Sequence, residues 1–192
     1  MAKQTTDILI VGVGGQGALL AGRILADAAI RLGKDVKVSE IHGMAQRGGS
    51  VVAQVRYGDK VYSPIIKKGD ADVVMAFEKL EAARYLDFLK ADGLMVINSE
   101  RIDPAPVMSG EAKYPDDVEA KIAAAVPRTR IADATKIASG LGNVKAANTV
   151  IVGVVGRELG IPMDVLEASI RELMPAKVAD VNLKALAAGW NA

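Results

Sequence analysis

Apolar residues along this chain follow two alternating patterns, and the alternation predicts the architecture. Asp7-Ile8-Leu9-Ile10-Val11-Gly12 is continuous, β-branched and ended by glycine, and reads as a strand buried on both faces. Over 16–32 the period turns helical: Leu19, Leu20, Ile24, Leu25 and Ala28 share one face, and Gly33 supplies the stop. Val36-Lys37-Val38-Ser39-Glu40 returns to strand. This is the opening strand–helix–strand unit of a doubly wound fold.

The next segment departs from that winding. Ser50-Val51-Val52-Ala53-Gln54-Val55-Arg56-Tyr57, then Gly58-Asp59, then Lys60-Val61-Tyr62-Ser63 reads as two strands joined by a tight turn. No helical stretch separates Glu40 from Ser50, so this hairpin is expected to join the sheet antiparallel to at least one neighbour. Wound order resumes with a strand at 72–77, a helix at 80–89 and a strand at 94–98. A connection containing Pro104, Pro106 and Pro115 leads to a helix at 116–125 and a short strand at 130–133. The rest reads as helices at 134–141, 145–159, 163–173 and 182–189. The expected class is α/β: a Rossmann-like wound mixed sheet with a β-hairpin inserted after the second strand and a helical C-terminal part. No repeat or low-complexity stretch divides the chain, so residues 1–192 are expected to form a single domain. Its C-terminal helices would cover the sheet and offer an apolar face to a partner.

Two glycine clusters fall where such strands end, the edge at which ligands bind open wound sheets. Gly12, Gly14 and Gly17, with Gly15 and Gln16 between them, fit G-x-G-x-x-G at a strand-to-helix turn. Amides opening that helix would face an anion. Glu40 stands 23 residues beyond Gly17, near where an acidic residue holds a ribose diol. Three readings stay open for this turn: dinucleotide binding, glycines that serve only a tight turn and close packing, or another anionic or partner ligand. Against the first, a hairpin follows where a crossover helix belongs.

The second cluster, His42-Gly43-Met44-Ala45-Gln46-Arg47-Gly48-Gly49-Ser50, is more unusual. Arg47 suits bidentate contact with carboxylate or phosphate, Gln46 and Ser50 add hydrogen-bonding groups, and His42 titrates near neutrality. The plainer alternative is a solvated loop in which His42 makes one structural hydrogen bond. Lys67-Lys68 reads as a solvated turn, and Asn98 and Ser99 as strand-end polar residues that cap a helix. Asn148, inside a helix, needs a hydrogen-bonding partner from backbone or a neighbouring subunit. No Ser-His-Asp arrangement, carboxylate pair or P-loop lysine is recognisable, and no catalytic residue is assigned.

Composition narrows the chemistry. The chain carries 24 basic against 23 acidic residues and few aromatics, which leaves no electrostatic footprint or stacking platform for nucleic acid. Half of it is apolar, yet no apolar run approaches the ~20 residues of a membrane span. Lys3 leads through polar residues straight into the first strand, so no secretory signal is expected, and the chain reads as soluble and cytoplasmic. There is no cysteine and one histidine. That excludes disulfides, thiolate chemistry, cysteine-ligated zinc, iron–sulfur clusters and imidazole-pair metal sites on this polypeptide. Redox chemistry must use an organic cofactor or another subunit.

The two loops, in this order and spacing, resemble the gamma-type subunits of 2-oxoacid:ferredoxin oxidoreductases. Within that family they are most similar to the small subunits of the indolepyruvate branch. Val61-Tyr62-Ser63-Pro64, Ala76-Phe77-Glu78 with Glu81-Ala82, Gly142-Asn143 through Asn148, and the stretch 182–189 extend the match. The resemblance implies an obligate subunit of an enzyme that converts an aryl pyruvate to its acyl-CoA and passes electrons to ferredoxin. It implies a large partner subunit carrying thiamine diphosphate and the iron–sulfur clusters, which agrees with a chain lacking cysteine. It also implies that Gly14–Gly17 and Gln46–Ser50 lie beside coenzyme A or the partner. A self-contained NAD(P)-binding dehydrogenase and a non-catalytic scaffold module remain the competing readings.

Overall fold

The computed structural model describes residues 5–43 and 48–192. The chain runs through β1 (Thr5–Val13), α1 (Ala18–Arg31), β2 (Asp35–His42), β3 (Ser50–Gly58), β4 (Ala71–Ala76), α2 (Lys79–Arg84) and β5 (Leu89–Asn98). It continues through α3 (Ala105–Met108), α4 (Val118–Ala125), β6 (Thr129–Ala132), α5 (Ala134–Gly140), α6 (Ala147–Glu158), α7 (Met163–Leu173) and α8 (Ala176–Trp190). The strands form one sheet of order β2-β3-β1-β4-β5-β6.

β1 explains why both faces of this sheet are covered. Ile8 and Ile10 point to one side and Leu9 and Val11 to the other, and all four are fully buried. The Ile8/Ile10 side packs against α1 and the C-terminal helices through Ile24, Leu25, Ile151, Leu166 and Leu186. The Leu9/Val11 side packs against α2, α4 and the segment before β4 through Ala82, Val118, Ile122 and Ile66. No helix among the described residues is long and apolar enough to cross a membrane.

The mixed α/β sheet expected from the pattern is present, and β3 is its antiparallel member. It pairs with β1 from Thr5↔Gly58 to Val13↔Ser50 and with β2 from Asp35↔Gly58 to His42↔Val51. The arms of the hairpin are therefore β2 and β3, and residues 60–63 form no strand. The reason is that β2 and β1 occupy both edges of β3, leaving no ladder for a further strand.

Side chains hold the displaced segment instead. Asp35 accepts a hydrogen bond from Val61 N at 2.9 Å and pairs with Lys37 and Lys60. These contacts, the Val61 bond first, hold its carboxyl down to about 2. Gln54 Oε1 accepts from Ile66 N at 2.6 Å, and Arg56 donates to the carbonyls of Ser63 and Ile65 while pairing with buried Asp7.

Two boundaries also differ from the pattern. The helix expected at 80–89 stops at Arg84, and after a 3-10 turn Leu89 opens β5 opposite Ala71. The register then slips before Val73↔Leu94, and Gly93 fits this irregularity because a Cβ there would stand 2.6 Å from Leu89 Cδ1. The last helix begins at Ala176, behind Pro175, earlier than the apolar spacing implied.

α6 and α8 touch backbone to backbone. A Cβ on Gly189 would stand 1.8 Å from Val150 O, and one on Gly153 2.3 Å from Leu186 O. Gly189→Ala is therefore expected to destabilise the fold by about 1–3 kcal/mol. Gly140→Ala, with nothing near its Cβ, should leave stability level or slightly raised. Thermal unfolding followed by circular dichroism compares the two, and equal melting temperatures would refute the close packing.

Candidate functional site

Because β3 runs against its neighbours, its first residue lies at the same edge as the carboxyl ends of β1, β2, β4, β5 and β6. Both glycine clusters hang from this edge, and they are bonded to each other: Gly14 N donates to Gly49 O at 2.8 Å.

The first turn is largely closed on itself. Val13 N donates to Gln16 Oε1 at 2.7 Å, and Gln16 N donates to Val13 O at 3.1 Å. A Cβ on Gly12 would stand 2.9 Å from Gln16 Oε1 and 3.0 Å from Phe77 Cβ, so this glycine makes room for the turn's own side chain. Gly17 caps α1 in the left-handed region at φ 81°, and a Cβ there would stand 2.5 Å from Asn148 Nδ2. Asn148 Nδ2 donates to Gly17 O at 3.3 Å, which supplies the backbone partner this buried residue needs. Its Oδ1 takes Thr149 N, and Thr149 Oγ1 passes on to Asn182 Oδ1 at 2.7 Å. Gly15, at φ 104°, has open space around its Cβ position and faces outward.

Gln16 also reaches across the edge. Its Nε2 donates to Phe77 O at 2.9 Å and to Glu100 Oε2 at 3.1 Å. The same Glu100 oxygen accepts from Asn98 Nδ2 and Thr135 Oγ1 at 3.1 and 3.0 Å. Asn98 is 1% exposed, and its Oδ1 accepts Ala134 N, the first amide of α5. Gln16, Glu100 and Thr135 of this network line a cavity of about 350 Å³ together with Gly15, Gly17, Leu20 and Phe77. Val144, Lys145 and Asn148 complete its lining.

A second buried network supports the other loop. Ser50 Oγ donates to Glu81 Oε2 at 2.6 Å, and Arg84 pairs with Glu81 Oε1 at 2.8 Å. Glu78, 1% exposed, caps α2 by accepting Glu81 N at 3.0 Å, and it also takes Ile102 N and the Tyr114 hydroxyl. Burial first, then the bond to Glu78, pushes the Tyr114 hydroxyl up from its ordinary value. The Arg101 guanidinium lies 4.3 Å over the Tyr114 ring.

Of the residues singled out in the sequence, Gly15, Gln16 and Gly17 line the cavity, Gly12 packs inward and Gly14 joins the loops. His42 ends β2 opposite Val51, Gly48 is exposed at φ 77°, Gly49 receives Gly14, and the Ser50 hydroxyl is engaged by Glu81. Gln46 and Arg47 lie outside the described residues. Glu40 is not brought to the glycine turn. β3 stands between its strand and β1, so about two strand spacings, ~10 Å, separate them where a dinucleotide half has one. Glu40 meets Arg23 at 3.5 Å instead. Glu100, Thr135 and Lys145 had no signal beyond their nearness to strand and helix ends, because each joins the cavity from a distant part of the chain. Among the described residues no group of His, Asp and Glu is placed to hold a metal ion.

Residues 7–192 match the family described as pyruvate ferredoxin/flavodoxin oxidoreductase. The chain is 45% identical to the indolepyruvate oxidoreductase subunit IorB of Archaeoglobus fulgidus, over 96% of its own length and 94% of that protein. It is 40% identical to the subunit of the same name from Thermococcus kodakarensis, over 97% and 95% of the two chains. Among solved structures, pyruvate oxidoreductase subunit PORC of Thermotoga maritima superposes with a TM-score of 0.74 at 26% identity, covering 98% of this chain and 97% of that one.

Two outcomes follow from this geometry. Gly17→Ala should cost about 2–4 kcal/mol, combining left-handed strain with the clash on Asn148. In an Asn148→Ala background it should cost about 1–2, so a denaturation cycle should return a coupling of roughly 1 kcal/mol or more. Calorimetric titration of the full chain with NADH should show no binding at micromolar concentrations, and saturation there would reinstate the dinucleotide reading.

Proposed function

Since the chain belongs to the pyruvate ferredoxin/flavodoxin oxidoreductase family, we propose that it is the small subunit of an indolepyruvate-type 2-oxoacid:ferredoxin oxidoreductase. The enzyme oxidatively decarboxylates an aryl pyruvate, joins the acyl group to coenzyme A and passes an electron pair to ferredoxin. The observation that carries this reading is identity of 40–45% to IorB subunits over almost the whole of both chains. Residues 1–192 act as one gamma-type domain of that assembly, in the cytoplasm.

Thiamine diphosphate and the iron–sulfur clusters belong to the large subunit in this reading. Clusters are held by cysteine thiolates, and with no cysteine this chain does not fit them. What its own residues contribute is binding and orientation. The joined glycine turns form a low-relief rim that a ligand or the large subunit can approach closely. The networks centred on Glu100 and on Glu78–Glu81 brace that rim from behind. We assign Gly12, Gly14–Gly17, His42 and Gln46–Ser50 to the coenzyme A and partner contacts of the complex. Within that assignment, Gly12 acts by packing and Ser50 by its bond to Glu81.

Co-expression with the large subunit tests the reading. The small chain alone should reduce no ferredoxin with any 2-oxoacid. The purified complex should do so in a coenzyme A-dependent manner, with kcat/KM for indolepyruvate at least about tenfold above that for pyruvate. Failure of the two chains to associate, or ferredoxin reduction by the small chain alone, would refute it.

A further inference from the structure

The segment 60–66 forms no strand, yet side chains pin it along its length. Asp35 accepts Val61 N, Gln54 accepts Ile66 N, and Arg56 donates to the carbonyls of Ser63 and Ile65. Arg56 is fixed in turn by the buried carboxylate of Asp7. Ile65 N donates to Ser63 Oγ at 3.2 Å, which braces the bend from within. Val61 and Ile66 are buried and anchor the two ends. What lies between is turned outward: Tyr62 is 88% exposed and Ile65 52%. The pinned backbone keeps both side chains from turning inward.

Exposed Ile41 extends this surface. It alternates onto the face of β2 that carries Asp35, two positions beyond Ser39, which stands opposite Gln54. Single exposed apolar residues are ordinary, but an exposed tyrosine on a pre-organised support has the character of a docking anchor. Charge narrows the occupant. Between residues 60 and 68 every charged side chain is positive, and exposed Lys60, Lys67 and Lys68 bracket the apolar stretch. A twofold contact of this surface with itself would set lysines against their copies, which disfavours a second copy of the chain. Ferredoxin fits no better, because an electron carrier docks where an electron leaves and this chain, without cysteine, holds no cluster.

We propose that Tyr62 and Ile65, with Ile41 beside them, dock the large subunit at an apolar depression bordered by carboxylates. The inference rests on the function proposed above, which supplies that subunit. This surface is separate from the glycine rim, since Val61 is held at Asp35, the opposite end of β2 from His42. Its lysines serve as a polar border that steers and orients the partner, while the tyrosine ring supplies most of the hold.

Titration of the immobilised large subunit with the full small chain, read by biolayer interferometry, tests the proposal. Tyr62→Ala should raise the Kd about tenfold or more, and Ile65→Ser about threefold or more. Lys67→Glu should also raise it and should flatten its dependence on salt. Ile30→Ala, at an exposed apolar residue of α1 on the other side of the sheet, should stay within about twofold of the unaltered chain. Circular dichroism checks that each variant is folded, and Lys67→Glu carries the test if Tyr62→Ala is not. Unchanged binding by both, or equal weakening by Ile30→Ala, overturns the docking assignment and leaves the proposed function standing. Failure of the unaltered chains to associate overturns both. Dimerisation of the small chain alone that Tyr62→Ala abolishes, seen by analytical ultracentrifugation, would make a second copy the occupant and overturn the proposal.

Discussion

The insertion of antiparallel β3 between β1 and β2 is the constraint on which the rest of this structure depends. By occupying the edge of β1 where the second strand of a mononucleotide half would pair, it moves β2 one place outward. Glu40 moves with it, out of reach of the glycine turn, and pairs with Arg23. The same insertion reverses the chain at the ligand edge, so the second glycine cluster starts where the first one turns. The Gly14–Gly49 hydrogen bond seals that meeting. A sequence signature of dinucleotide binding is thereby converted into part of a two-loop rim.

Behind the rim, polar groups that would be costly to bury alone satisfy one another. Glu100, Asn98, Gln16 and Thr135 share one set of hydrogen bonds, and Ser50, Glu81, Glu78 and Tyr114 share another. No buried side-chain nitrogen or oxygen among the described residues lacks a partner. Such satisfied networks favour a single arrangement of the loops they hold. Two acidic side chains at 1% and 3% exposure, Glu78 and Glu81, are tolerated because amides, hydroxyls and Arg84 surround them.

This organisation suits a subunit that binds and orients while redox groups reside elsewhere. The zero cysteine count had already removed cluster ligation from the chain. Likeness over nearly its whole length to small subunits of indolepyruvate oxidoreductase then placed it among proteins that work as parts of an assembly. Neither point depends on the fine geometry of the rim.

What the sequence determined by itself was local. Continuous β-branched runs such as 7–12 and helical spacing such as 163–173 specify their elements through burial and period, and both formed as expected. The glycine turn, the strand that breaks the winding and the absence of thiolate chemistry were likewise legible, since each rests on residue identity. Tertiary structure alone decided which edges were available. Residues 60–63 have the composition of a strand, but β3 had no free edge to give them, so side chains of Asp35, Gln54 and Arg56 hold that segment instead. Only folding brought Gln16, Glu100, Thr135 and Lys145 to one cavity, because contacts between distant segments carry no period that a linear pattern can display.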